Sequence, residues 1–149
     1  MSRYEKFLTK TLNPAITAGA YSANDVVGGL LEFDLAELTA NGGILDAVQV
    51  TDKGTQSAAM KLFLFESQPA TIANNDAFAP SDAENATIFA IVTISTYTTL
   101  TNSRVCISDT IQRVFSTTKG KIWGYLVCDA TPTFASVSDI FVTLRILSE

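Results

Sequence analysis

The sequence predicts an all-β fold: a single β-sandwich, jelly-roll-like, with about eight strands and one short helix. Three observations carry this prediction. Apolar and polar residues alternate at period two in segment after segment, as in a strand whose successive side chains point to opposite sheet faces. The segments are short and are bounded by turns rich in Gly, Pro, Asn and Asp. Thr and other β-branched residues, which suit a half-exposed strand, are frequent within them.

The chain is organised around Gly42 to Glu66 (GGILDAVQVTDKGTQSAAMKLFLFE). Ile44, Asp46, Val48 and Val50 alternate with Leu45, Ala47, Gln49 and Thr51, and Ala59, Lys61, Phe63 and Phe65 alternate with Met60, Leu62 and Leu64. Asp52-Lys53-Gly54 sits between the two runs, so the stretch reads as a central hairpin.

Residues 1–14 read as an N-terminal arm preceding a sandwich domain over 15–149. Arg3, Lys6 and Lys10 are interleaved with Tyr4, Phe7, Leu8 and Leu12, and Tyr4, Phe7 and Leu8 have helical spacing before Asn13-Pro14 breaks any helix. Two readings stand: a frayed terminus or single turn packed on the sheet, or an extended arm docking on a neighbour.

Further along, Ala15 to Ala20 is a candidate short strand. Gly28-Gly29 marks a bulge or tight bend, because no Lys-Ser/Thr follows and no GxGxxG frame exists to make it a phosphate loop. Leu30 to Leu35 is the next strand. Ala70 to Pro80 is a long polar loop holding Phe78. Ser81 and Glu84 form a capping box, the clearest helix start in the chain. Strands are then expected over Ile88 to Thr96, Val105 to Ser108, Ile111 to Phe115, Lys121 to Asp129 and Ser138 to Leu147, with a Thr-rich connection from Tyr97 to Ser103.

The chain has 149 residues, 47% hydrophobic and 17% charged, which fits one domain with a sizeable core. Its net charge of −5 and scattered basic residues argue against nucleic-acid binding. There is no apolar run of about 18 residues to span a membrane, and MSRYEKFLTK lacks the apolar core of an export signal. Cys106 and Cys128 read as small buried side chains, with a bridge between them left open.

No histidine is present, which removes Ser-His-Asp and Cys-His nucleophilic arrangements and His-based zinc sites. Glu32 and Asp34 share a strand face and could serve as hydrolase carboxylates, but a solvated face is the better reading. Asn74, Asn75, Asp76, Asp82 and Glu84 offer oxygen ligands without EF-hand spacing. Trp123 and Tyr125 share a strand face that could stack on a sugar, or belong to the core. No enzymatic activity, cofactor, catalytic residue or metal is expected.

YSANDVVGG (Tyr21 to Gly29), DKGTQSAA (Asp52 to Ala59), FAPSD (Phe78 to Asp82) and the terminal TPTFASVSDIFVTLRIL carry a resemblance. From about Ala15 onward the chain resembles a group of small tailed-bacteriophage virion structural proteins, most like capsid decoration (cement) proteins. The resemblance implies a virion location on the capsid surface after assembly in the host cytoplasm. The implied partners are the major capsid protein and copies of the chain itself in a trimer or dimer, with no nucleic acid and no membrane. A tail, neck or baseplate component or a host-surface-binding module is the alternative. Contacts are expected from Arg3, Tyr4, Lys6, Phe7 and Leu8, by burial of apolar and Thr-rich surface with strand pairing or arm docking.

Overall fold

The computed structural model describes residues 6–38, 41–117 and 119–148. Their elements are β1 (Lys6–Leu12), β2 (Val26–Asp34), β3 (Gly42–Asp52), β4 (Met60–Phe65), α1 (Asp82–Asn85), β5 (Ile88–Ile94), β6 (Thr98–Thr99), β7 (Arg104–Ser108), β8 (Arg113–Ser116), β9 (Lys121–Cys128) and β10 (Ile140–Ser148). One antiparallel sheet runs β1-β10-β3-β7-β6, with β8 also paired to β3; the other runs β2-β9-β4-β5. With the short β6 and β8 set aside, the pairs nest: β1 with β10, β2 with β9, β3 with β7, β4 with β5. This is the jelly-roll order, and the all-β sandwich expected from the sequence is what forms. No helix among the described residues is long and apolar enough to cross a membrane.

The expected central hairpin does not form. β3 and β4 lie in different sheets. Both edges of β3 are occupied, by β10 on one side and by β7 and β8 on the other. β4 is likewise held between β9 and β5. The turn therefore carries the chain across the sandwich. Lys53 N–H already donates to Asp139 O at 2.8 Å, and the buried Asp52 carboxylate accepts from Gln56 N (2.8 Å) and Ser57 N (2.9 Å). These bonds steer the backbone away from β3.

The segment expected as an arm is a strand over residues 6–12. β1 pairs with β10 from Lys6↔Ser148 to Leu12↔Val142. Phe7 and Leu8 therefore point to opposite faces, as neighbours in a strand do. Alternation explains why the strand forms: Leu8 and Leu12 pack against the core, and Phe7, Thr9 and Thr11 take the other face. Ala15 to Ala20 contributes only an isolated bridge, Ala20↔Thr133.

The main core fills the space between the sheets. Phe33, Leu45, Val48, Met60, Leu62, Leu64, Leu126, Ile140 and Leu144 are fully buried there, each contributing about 1.5–3 kcal/mol of burial where the side chain is large. β3 changes phase in the middle. Leu45 and Val48 both face inward because the β3–β10 register slips at Asp46, which pairs with neither Arg145 nor Ile146. A bulge inserts one residue and so exchanges the faces. Its polar groups are met by the 109–112 connection: Ile111 N donates to Asp46 O at 2.9 Å and Gln112 Nε2 donates to Asp46 Oδ1. The Gly28-Gly29 pair is also a bulge. Register shifts between Val27 and Leu31, both glycines have positive φ, and a β-carbon on Gly28 would fall on Pro14 Cβ.

A second cluster lies on the outer face of the four-stranded sheet. Val26, Phe65, Tyr125 and Val127 are buried there beneath Ile72 and Phe78 of the long loop. The loop is fixed by Tyr125 Oη, which donates to Ala70 O (2.6 Å) and accepts from Ile72 N (2.9 Å). Ser81 and Glu84 form the expected capping box at α1. The Ala70 N–H and the Ser81 hydroxyl hold the Glu84 carboxyl below its ordinary value. Asn74 ties three segments together: its Oδ1 accepts from Tyr21 Oη and Gly28 N, both at 2.7 Å, and its Nδ2 donates to Thr17 Oγ1 at 2.8 Å.

Cys106 and Cys128 are both buried free thiols. Burial pushes the Cys128 thiol up to about 12, aided by Asp25 and Asp129.

Two outcomes follow. Asn74→Ala should destabilise the protein by about 2–4 kcal/mol in a denaturant titration, because a buried hydroxyl and a backbone N–H lose their acceptor together. The Cys128 thiol is neutral when folded and ionises near its ordinary 9.0 when unfolded. Its contribution is therefore full below pH 9.0 and is lost as pH rises toward about 12. Unfolding midpoints across this range should fall less steeply in Cys128→Ala than in the parent chain.

Candidate interaction face

The two outer faces of the sandwich are unequal. The outer face of the four-stranded sheet is covered by the chain's own loop, as described above. The outer face of the six-stranded sheet carries no such cover among the described residues.

Cross-strand register builds a row on this bare face. Phe7 in β1 stands opposite Leu147 in β10, Leu147 opposite Ile44 in β3, and Ile44 opposite Val114 in β8. Directly opposed residues project to the same side, so the four side chains form one apolar stripe across four strands. Its ends are the most open: Phe7 is 78% exposed and Val114 73%. Leu147 and Ile44 are half-buried by their neighbours. A second row is Thr11, Thr143, Gln49 and Ile107, in which the Thr11 and Thr143 hydroxyls are hydrogen-bonded at 2.9 Å and Ile107 is exposed. A third contains Phe141, Thr51 and Val105, with the Lys53 ammonium 5.6 Å from the Phe141 ring centroid. Arg145 is exposed between the first two rows.

Of the residues expected to make contacts, Phe7 alone is both described and widely exposed. Leu8 turns inward and packs on the core. Lys6 begins β1. Arg3 and Tyr4 lie outside the described residues. Leu147, Ile44, Val114 and Ile107 were not expected at the face. The available signal was the outward register of β10, where Phe141 and Leu147 are apolar although the alternate residues already fill the core.

The other candidate sites dissolve into structure. Glu32 pairs with Lys121 at 3.3 Å, and Asp34 accepts from Ala36 N at 2.9 Å; both are exposed. Asn74 and Glu84 are engaged in the bonds given above. Trp123 is 3% exposed and Tyr125 0%, so neither ring offers a face to a sugar. Among the described residues no group of three or more His, Cys, Asp or Glu could hold a metal ion.

No family model and no curated protein matches the chain. Several solved structures are similar to it at low level, three of which follow. A carbohydrate-binding module from the family 9 glycoside hydrolase Cel9A of Ruminococcus flavefaciens FD-1 shares 13% identity, with 95% of this chain and 98% of that one covered, at a TM-score of 0.41. The PRD1 vertex protein P5 shares 10% identity with 99% of each chain covered, at 0.36. A marine algae virus of the order Picornavirales shares 8% identity, covering 98% of this chain and 67% of that one, at 0.24. Likeness this loose carries no argument about what the chain does.

Since Phe7 is open and makes no core contact, Phe7→Ser should change folding stability by less than about 0.5 kcal/mol in a denaturant titration. Leu8→Ser should cost more than about 1 kcal/mol in the same experiment, because Leu8 packs on the core.

Proposed function

We propose that the chain is a bacteriophage virion structural protein, a capsid decoration protein that binds the outer surface of the assembled head and reinforces contacts between capsomers. The observation that carries the proposal is the bare outer face of the six-stranded sheet, with its stripe of Phe7, Leu147, Ile44 and Val114. A contiguous apolar stripe on a sheet face, rimmed by Thr hydroxyls, suits burial against another protein. The resemblance of YSANDVVGG, DKGTQSAA, FAPSD and the terminal strand to tailed-phage virion proteins supplies the class of partner. On this reading the major capsid protein covers the stripe. The chain acts as a homo-oligomer, a trimer or dimer, whose symmetry matches an axis of the head. The mechanism is burial without chemistry, and many weak copies add up through avidity.

The mode of docking differs from an arm reaching out of the domain. Residues 6–12 complete the sheet, so deleting residues 1–12 would remove a strand as well as Phe7. Point substitution is the cleaner probe. Phe7→Asp with Val114→Asp should abolish binding to purified undecorated heads in a co-sedimentation assay, while circular dichroism stays that of the parent chain. Undiminished binding would overturn the docking face. Quantitative mass spectrometry of gradient-purified virions tests the role itself. Hundreds of copies, in proportion to the major capsid protein, are expected. A count of a few dozen or fewer would place the chain in the tail, neck or baseplate instead.

A further inference from the structure

An edge strand presents a row of backbone N–H and C=O groups ready to pair with another chain. β5 closes the four-stranded sheet. It pairs with β4 and, among the described residues, with no strand on its other side. Proteins blunt such edges with charge, bulges or shortness. The other edges are blunted in these ways. β1 carries Lys6 and Lys10, β2 carries Glu32, Asp34 and the Gly28-Gly29 bulge, and β6 is two residues long. β5 is different: no charged residue occurs from Ala86 to Ser103. Its register irregularity, opposite Leu64 and Phe65, ends at Ala90.

From Ala90 to Ile94 the strand keeps one phase. Ala90, Val92 and Ile94 are buried, whereas Thr93 and Ile91 are exposed, Ile91 at 56%. Ile91 stands opposite Phe63 in β4 and lines a groove with Phe78, Pro80 and Ile88, in which Asn85 is the one polar residue. An apolar groove therefore opens beside an unpaired and uncharged edge.

We infer that two copies of the chain pair β5 against β5, antiparallel, about a two-fold axis at Val92, joining their four-stranded sheets into one continuous sheet. An antiparallel pair is its own image under a two-fold, so the contact is isologous and closes at two copies. The phase of the strand fits this operation. Val92 meets Val92, Ala90 meets Ile94, and Ile91 meets Thr93, so buried residues stand beside buried ones and exposed beside exposed. The two Ile91 side chains become diagonal neighbours across the axis. A second copy is the occupant because β5 matches its own sequence without placing like charges together. The same operation on β1 would gather lysines, and on β2 carboxylates. Backbone pairing supplies the contact, and Ile91 with the flank of the groove adds buried apolar area. The inference gives the homo-oligomer of the proposed function its interface and rests on that part of the reading alone, since the head-docking stripe lies on the other sheet.

Sedimentation equilibrium of the full chain at about 100 μM should give twice the 16.0 kDa chain mass. Ile91→Lys with Thr93→Lys sets lysine opposite lysine at two exposed positions. That variant should sediment as a monomer with the circular dichroism of the parent chain. Phe7→Asp with Val114→Asp should remain a dimer. Hydrogen exchange on the parent chain needs no variant and decides if the lysine variant fails to fold: amides of residues 90–94 should exchange more slowly in concentrated than in dilute samples, and those of residues 6–12 equally in both. A monomeric or trimeric parent chain overturns the inference, as does a lysine variant that stays dimeric, a stripe variant that dissociates, or exchange at 90–94 that ignores concentration. A monomer that still sediments with heads overturns this inference and leaves head docking standing. A β5 dimer that fails to sediment with heads does the reverse.

Discussion

The arrangement of this protein depends on the two occupied edges of β3. A strand has two rows of backbone hydrogen-bonding groups, and each can be satisfied once. β10 takes one row along the length of β3, and β7 and β8 divide the other. Nothing is left for β4, which must seek its partners in the opposite sheet. The crossing from 53 to 59 follows from this exclusion, and so does the sandwich: the chain cannot return beside β3 and has to pass over the core. The bulge at Asp46 belongs to the same constraint. It lies where β7 gives way to β8, and the 109–112 connection is drawn in to satisfy its polar groups.

The two sheets treat their outer faces differently, and that difference carries the functional reading. β9 is buried on both sides, which explains its nearly continuous apolar run, KIWGYLVC. The loop from 67 to 80 closes over it with Tyr125, Phe63 and Phe78 in ring contact. β10 alternates instead, with a filled inner register and a half-buried outer one. Among the described residues Leu147 on that outer register has no loop above it, and Phe141 has only the Lys53 ammonium over its ring. A second copy of such a loop would have hidden the stripe; among the described residues there is none.

Much of the fold was legible in the sequence because period-two alternation is local. The strands at 88–94, 104–108, 121–128 and 140–148 stand close to their expected bounds, as do the Gly28-Gly29 bulge and the capping box at Ser81 and Glu84. Pairing was not legible, since it depends on edges supplied by distant strands. Asp52-Lys53-Gly54 has the residues of a hairpin turn, yet Asp52 uses its carboxylate to hold Gln56 and Ser57 and turns the chain the other way. β1 was concealed by Tyr4, Phe7 and Leu8, whose spacing imitates a helix, and only the register against β10 resolves it. Phe7 was singled out from the sequence, and it is exposed on the outer face of the sheet. Its neighbours Leu147, Ile44 and Val114 were not singled out, because they are close only through cross-strand pairing.

The nested order of pairs also governs when the apolar stripe can exist. β1 finds its partner in β10, so the contact from Lys6 to Ser148 closes nearly the whole length of the chain. Long-range pairing of this kind is slow, because loop entropy must be overcome before the contact returns anything. Phe7 and Leu147, adjacent in the stripe, belong to the first strand and the last. An incompletely folded chain therefore lacks the stripe, which exists only once the first strand has met the last.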